Sequence, residues 1–168
     1  MPTDSFLNWF AGLVDGEGSF QLHFKTDPRN SSLGYYRTVF KLGLRSDDGY
    51  VIIMLRRELG IGHISVRNTD RVQGPYISKP QIWLEVDNKA DCATLVEYLE
   101  DRLYTKKSIE LSLWTEAIEI LKNGGKGYSL CQEDQDALAI LKELLHKKKE
   151  FNQEMSNMNF NLIKNKAI

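Results

Sequence analysis

The sequence predicts an α+β fold in which one antiparallel sheet carries helices on one of its faces. Three observations predict it. Some segments alternate apolar and polar residues as strands do, and in others apolar residues recur with the helical period. The predicted helices and strands follow each other in the order αββαββα, and further helices come after them. The 168 residues are expected to form one domain over 1–150, followed by a tail over 151–168 that lacks a steady period.

The first half of the chain predicts one helix and one hairpin. Apolar residues recur at helical spacing over 5–14, and the glycines of Asp15-Gly16-Glu17-Gly18 are expected to stop this helix. Strict alternation then predicts strands over 19–26 and 35–44. These strands form a hairpin with an apolar side, which includes Phe20 and Leu22, and a polar side.

The rest of the chain predicts a second helix and hairpin, then three more helices. Helical spacing covers 48–59 and ends at Gly60 and Gly62. Strands are predicted over 63–70 and 76–87, with Ile64 and Val66 facing inward. The last three helices are predicted over 90–103, 108–122 and 133–150.

Composition and charge limit the class of protein. Hydrophobic residues make up 42% and charged residues 27%, which is ordinary for a soluble domain. The two cysteines lack metal or disulfide spacing, so we expect a reducing intracellular setting, and neither a membrane span nor a secretory signal is predicted. The net charge of −1 argues against nucleic acid, but residues 19–90 carry 11 basic and 7 acidic residues.

The stretch from Phe10 to Gly18 contains the chemistry. Ala11 and Gly12 are small residues that let another helix backbone approach closely, and Asp15 and Glu17 stand at the negative end of the helix dipole. Carboxylates placed there favour a divalent cation, and Asp and Glu oxygens suit Mg²⁺. The simpler alternative is a helix stop whose acids lie in water.

This stretch resembles the LAGLIDADG homing endonuclease motif at nearly every position. Phe10 stands in place of the usual Leu, Val14 of Ile, Gly16 of Ala, and Glu17 of the second Asp. The resemblance continues through the paired hairpins, the Leu-Gly-Ile-Gly stretch 59–62 and the Leu-Tyr-Thr-Lys-Lys-Ser stretch 103–108, and so spans about residues 6–122.

The resemblance implies a site-specific, metal-dependent DNA endonuclease with a homing-endonuclease-like saddle of two sheets. It implies that Glu17, with Gly16 beside it, binds Mg²⁺ (or Mn²⁺) and contacts the scissile phosphate, whereas Asp15 caps and shapes the helix end. One of Lys106 and Lys107 would line the active site.

A single motif also implies a homodimer, because a double-strand break needs two catalytic centres. The resemblance suggests a long, near-palindromic DNA target, a staggered break, and intron or intein homing. The expected dimer interface lies on the first helix: Phe10, Ala11, Gly12 and Leu13.

The polar sides of the predicted hairpins are the expected DNA surface, because a β-ribbon can enter the major groove. Arg45 is included because relatives often carry Gln and then a basic residue near this place. The candidate DNA-binding residues are Gln21, His23, Lys25, Arg37, Lys41, Arg45, Ser65, Arg67, Lys79 and Gln81.

Two other classes of function remain as alternatives. The first is an intron RNA maturase or a non-cleaving DNA-binding regulator derived from the same family. The second is a structural α+β protein that dimerises through its first helix. An acid at Glu17 favours the nuclease, and salt-sensitive DNA binding would exclude the structural protein.

Overall fold

A computed structural model describes residues 1–27, 30–68, 71–73, 76–123 and 130–146. It confirms the α+β class: a four-stranded antiparallel sheet is covered on one face by helices. The predicted tail 151–168 and residues 147–150 of the last predicted helix lie outside the described part. No helix among the described residues has the length and apolar character needed to cross a membrane.

The first helix, α1 (Asp4–Glu17), runs three residues further than predicted. Its first turn is capped by Thr3, whose hydroxyl accepts a hydrogen bond from the Phe6 backbone N–H. The Asp15-Gly16-Glu17-Gly18 stretch ends the helix, as predicted, but the predicted boundary at residue 14 was wrong, because Gly16 keeps the helical conformation and the chain becomes extended only at Gly18.

The first hairpin consists of β1 (Gly18–Asp27) and β2 (Asn30–Arg45), both longer than predicted. Register pairs Gly18 with Leu42 and Phe24 with Tyr36, and a bulge follows Thr26. A short 3₁₀ helix (Ser46–Asp48) then leads into α2 (Gly49–Leu59), which ends at Gly60 in the left-handed conformation (φ 70°) as the glycine pattern predicted.

The second predicted hairpin is divided into two parts. Its base consists of β3 (His63–Arg67) and β6 (Gln81–Val86) in the main sheet, and its tip is a separate ribbon of β4 (Arg71–Gln73) and β5 (Tyr76–Ser78). The predicted continuous strands were wrong here because Pro80 lacks a backbone N–H and interrupts the ladder. Val66, predicted to face inward, is 53% exposed on the edge strand β3.

Three helices complete the helical layer: α3 (Lys89–Leu99), α4 (Lys107–Asn123) and α5 (Gln132–His146). The first of them ends four residues earlier than predicted, and Asp101 just beyond it has a positive φ of 58°, which a continuing helix does not allow. Asn88 caps its start by accepting from the Asp91 N–H.

The sheet has the strand order β1-β2-β6-β3, and its apolar side meets the helices in a single core. Burial alternates strictly along β6, as expected for a sheet covered on one face. Strand β1 is an edge, and the buried Trp114 of α4 donates its indole N–H to the Gln21 carbonyl at 3.1 Å. The helical layer therefore covers this edge, and the polar side of the sheet faces away from the helices.

Candidate nucleic-acid interface and active site

Helix α1 ends in an exposed carboxylate, Glu17, because Gly18 turns the chain into β1. A Cβ at Gly18 would lie 2.7 Å from the Val14 carbonyl oxygen, so only glycine allows this tight exit. The last turn of α1 contains no basic residue to offset its negative end. No hydrogen bond or ion pair joins Glu17 to any residue that the structure describes, and its carboxylate oxygens are available to a ligand.

Asp15 has the opposite environment, since its carboxylate holds the loop that precedes α4. It accepts hydrogen bonds from the backbone N–H groups of Tyr104 and Thr105, at 3.1 and 3.2 Å, and from the Thr105 hydroxyl at 2.7 Å. The same hydroxyl accepts from the Lys107 N–H in the first turn of α4. Asp15 thus joins the end of α1 to the start of α4 rather than capping its own helix.

Of the two candidate lysines at the start of α4, only Lys106 is exposed to solvent. Lys107 is 6% exposed, and its Nζ lies 2.9 Å from the Glu110 carboxylate, itself 8% exposed. An enclosed, paired ammonium cannot reach a bound substrate without breaking this pair. Lys106, which follows the anchored Thr105, is therefore the more accessible of the two candidates in this structure.

The face of α1 that is open to a partner differs from the predicted one. Phe10 and Ala11 are 0% and 1% exposed because they belong to the chain's own core, so their assignment to a dimer interface was wrong. Leu13 is half-buried against that core. Gly12 and Gly16, one helical turn apart, are exposed, and no neighbouring atom lies within 4 Å of a Cβ built on either.

The polar side of the sheet gathers the candidate DNA-binding residues on one surface. The strand register places Arg45 beside Gln81, Gln81 beside Arg67, and His23 beside Arg37. The side chains of all these residues therefore point to the same side of the sheet. Lys79 is the exception, because it precedes β6, where its carbonyl accepts from Arg67 at 2.8 Å. We call this surface the polar face, and it contains Gln21, His23, Lys25, Arg37, Lys41, Arg45, Ser65, Arg67 and Gln81.

Basic residues in the middle of the polar face are paired with acids from β6 and the residue after it. Arg37 forms an ion pair with Asp87, and the Lys41 Nζ lies 2.9 Å from the Glu85 carboxylate. Burial by itself would raise the pKa of Glu85, but hydrogen bonds from Ser65 and Lys41 outweigh it and lower that pKa. Glu85 is therefore held as an anion.

His23 lies in a polar ladder along β1. Its Nε2 is 2.9 Å from the Gln21 side-chain oxygen, and the Gln21 amide donates to the Ser19 hydroxyl at 3.0 Å. Burial lowers the pKa of His23, and the positive charges of His146, Lys41 and other basic neighbours lower it further. The imidazole is thus held in its neutral form at neutral pH.

Three further residues lie on the same side of the sheet as the polar face and were assigned no site role in the sequence analysis: Trp83, Glu85 and Asp87. Alternation along the predicted strand 76–87 already places all three on the polar side, so this alternation was the signal that could have found them. The Trp83 ring lies over Gly43, where a Cβ would come within 2.3 Å of it, and the Arg67 guanidinium carbon is 5.8 Å from the ring centroid.

Metal ligands within one copy of the chain are few. Among the described residues, no group of three or more His, Cys, Asp or Glu side chains is placed to hold a metal ion. The unpaired Glu17 carboxylate and the backbone carbonyl oxygens at the end of α1 are oxygen donors, which suit a hard divalent cation. They fit part of such a site, and the described residues of this copy place no further carboxylate, histidine or cysteine group around them to complete it.

A family model described as LAGLIDADG endonuclease matches residues 10–118, which include the second half of α1, both hairpins and most of α4. The chain belongs to the LAGLIDADG endonuclease family. Membership of this family places the chain in a class of DNA endonucleases. No curated protein sequence matches the chain.

Solved structures of LAGLIDADG endonucleases share the fold. The homing endonuclease I-TnaI is 20% identical over 89% of this chain and 98% of its own, with a TM-score of 0.67. The archaeal intron-encoded homing endonuclease I-Vdi141I, complexed with DNA, is 22% identical over 87% and 85%, with a TM-score of 0.69. I-SmaMI bound to cleaved DNA is 21% identical with a TM-score of 0.65, and the match covers 81% of this chain but only 42% of that one.

Proposed function

We propose that this chain is a site-specific DNA endonuclease that acts as a homodimer and hydrolyses one phosphodiester bond in each strand of a duplex target. The observation that carries the proposal is the exposed, unpaired Glu17 carboxylate, which stands at the end of the motif helix beside the anchored Asp15. A staggered double-strand break in a long, near-palindromic site would serve intron or intein homing.

Exposed small residues on α1 support the homodimer. Gly12 and Gly16 leave a strip of bare backbone on which a second α1 can lie closely, and the partly exposed Trp9 (43%) adjoins this strip. A pair of α1 helices related by two-fold symmetry would bring two Glu17 carboxylates together. The match to I-SmaMI, which covers 42% of that longer chain, is consistent with a requirement for two such units.

The divalent cation, Mg²⁺ with Mn²⁺ as a substitute, would be held by Glu17 and the backbone carbonyl of Gly16, with the DNA phosphate and the partner copy completing its ligands. The structure of the relative I-CvuI in complex with its target was determined in the presence of 2 mM Ca, which is compatible with a divalent ion in this proposal. When bound, the ion supplies a water molecule of lowered pKa and charge stabilisation at the phosphate.

Other residues of the chain would position the scissile phosphate and stabilise its charge. Lys106 is exposed on the loop that Asp15 holds, so its ammonium can neutralise charge that develops on the phosphate oxygens. Asp15 already accepts three hydrogen bonds from this loop, so its role is to fix the loop in place.

The polar face would contact the target on either side of the cut. Its strands can enter the major groove, and its lysines, arginines and glutamines suit phosphates, guanine and adenine edges. The exposed Lys25 and Arg45 at its periphery are suited to phosphate contacts. Binding should therefore weaken as salt increases, because each phosphate contact releases counterions.

The test is the variant Glu17→Gln, which removes the charge and keeps the shape. We expect magnesium-dependent cleavage of a selected target to fall by at least about a hundredfold, because one anionic metal ligand per protomer is lost, while DNA affinity stays within about threefold. Cleavage is measured on a labelled duplex, and affinity by gel shift in Ca²⁺.

Glu58→Gln is the matched control, because it removes an equally charged carboxylate on the exposed side of α2. It should cleave as the wild type does. Full cleavage by Glu17→Gln would refute the metal assignment. Specific binding without any cleavage by the wild type would instead indicate a non-cleaving DNA-binding protein.

A further inference from the structure

The middle of the polar face is electrically balanced. Arg37 and Lys41 contribute two positive charges, and Asp87 and Glu85 contribute two negative ones, in two adjacent ion pairs. Acids on a DNA-binding surface repel the phosphate backbone, so they do not add to the phosphate contacts. Carboxylates in this position can instead accept hydrogen bonds from donor groups on the DNA bases.

Glu85 is the better placed of the two acids to meet such a donor. It lies on β6, a central strand, between Lys41 of β2 and His63 of β3. Ser65 donates to one of its carboxylate oxygens and Lys41 contacts the other, so the carboxylate is fixed and its side chain is only 17% exposed. A fixed carboxylate loses little conformational entropy on binding a base edge.

The surface also has room for a base edge beside this pair. A depression of about 370 Å³ opens on the polar face and is lined by Lys41, Glu85, Arg37 and Val39, among others. Val39, which has the polar parity, is only 4% exposed, so it lies beneath the longer charged side chains. The charged ends of Lys41 and Glu85 therefore stand side by side at a recess rather than on a flat surface.

We propose that Glu85 and Lys41 together read one G·C base pair of the target in each protomer, with Glu85 accepting a hydrogen bond from the cytosine amino group. In the major groove, cytosine presents its N4 donor, and guanine presents the adjacent acceptors O6 and N7. A carboxylate beside an ammonium is the complement of that edge. An A·T pair offers a donor on adenine, but no base of it offers the two adjacent acceptors that match an ammonium.

This inference rests on the proposed DNA target. It assigns base specificity to Glu85, whose negative charge by itself would weaken binding to the DNA phosphates. The test is selection of bound duplexes from a randomised library in Ca²⁺, with the wild type, Glu85→Gln and Glu58→Gln. The first variant keeps an acceptor for Ser65 and removes the charge. The second removes the same charge from α2, on the helical side of the molecule.

We expect the wild type to select G·C at one pair in each half-site. Glu85→Gln should lose about tenfold of the discrimination at that pair and keep the other preferences, while Glu58→Gln keeps all of them. If Glu85→Gln selects the same bases as the wild type, or loses preference equally at every position, this inference is overturned and the proposed nuclease function stands. If the wild type selects no sequence, the proposed function itself fails.

A second variant, Lys41→Met, tests the other half of the pair and covers the case in which Glu85→Gln does not fold. It should lose preference for guanine at the same base pair that Glu85→Gln affects. Loss at a different pair would contradict joint reading by the two residues. Circular dichroism of each variant establishes that the sheet and helices are retained.

Discussion

At the scale of single residues, the two acids of the motif differ because they are two positions apart on a helix. Successive helical residues are rotated by about 100°, so Asp15 and Glu17 point in nearly opposite directions. Asp15 faces the start of α4, where backbone N–H groups and a hydroxyl occupy its oxygens, whereas Glu17 faces away from these donors. Two similar side chains thus have separate roles, one structural and one available for chemistry.

Asp15→Asn should lower the free energy of unfolding by about 1–2 kcal/mol, because a neutral amide accepts more weakly than a carboxylate and turns a donor toward other donors. Urea denaturation measures the change. The control Asp47→Asn removes a carboxylate from an exposed ion pair with Arg45 and should cost no more than about 0.5 kcal/mol. Equal effects of the two substitutions would show that the three hydrogen bonds of Asp15 contribute nothing specific.

His23 should make stability depend on pH below neutrality. Its pKa is lowered in the folded chain from 6.5, so the unfolded chain takes up this proton first as the pH falls. The free energy of unfolding should therefore decrease below pH 6.5 and level off once the folded imidazole also titrates. His23→Gln should flatten this decrease in urea titrations at several pH values, whereas a substitution at the exposed His63 should keep it. An unchanged pH dependence in His23→Gln would refute the assignment.

At the scale of secondary-structure elements, the junction between α1 and β1 places the site. Gly18 ends the helix and pairs at once with Leu42, so Glu17 lies directly at the end of the sheet. The close approach of Gly18 to Val14 explains why this junction takes a glycine, although its φ of −69° suits any residue. The constraint is a steric contact within the helix exit rather than an unusual backbone angle.

Gly18→Ala should destabilise the fold by about 1–3 kcal/mol, because the new methyl group overlaps the backbone of Val14. Ser112→Ala provides the control on the exposed side of α4. Alanine favours a helix interior more than serine does, so stability should rise by about 0.5 kcal/mol. Thermal unfolding of the two variants should give melting temperatures on opposite sides of the wild type, and the reverse order would contradict this account.

At the scale of the whole molecule, one copy of the chain presents half of what the proposed reaction needs. Its described residues contain one motif carboxylate that pairs with none of them, and they contain no complete metal site. Phe10 and Ala11 hold α1 onto the chain's own core, and this leaves the opposite, glycine-bearing side of the helix for another copy. The same helix therefore serves the core with one side and the proposed dimer with the other.

Gly12→Leu should convert the protein to a monomer and abolish double-strand cleavage, because its side chain would occupy the space that a second helix needs. The monomer should remain folded, since no atom lies within 4 Å of the new Cβ. Sedimentation velocity at micromolar concentration measures the change, and Ala139→Leu on the exposed side of α5 serves as the control. A dimer that persists in Gly12→Leu would place the interface elsewhere.

Local patterns in the sequence were sufficient for the elements and for the motif. Alternation and helical spacing predicted the sheet, its polar side and five helices, because side-chain periodicity follows from backbone geometry within each element. The motif itself led to Glu17 and to the family. Prediction of the element boundaries from local patterns failed where a single residue departed from the pattern. Gly16 stays helical, and Pro80 divides a predicted strand.

Only the tertiary structure decided which of the candidate site residues are accessible to a ligand. Lys107 is less accessible than Lys106 because it is buried against Glu110. The hydrogen bonds of Asp15 come from a loop about ninety residues away along the chain. The pairing of Lys41 with Glu85 likewise requires two strands to become neighbours. Such contacts join residues that no local period relates, because they follow from how the elements pack and not from the sequence spacing within any one of them.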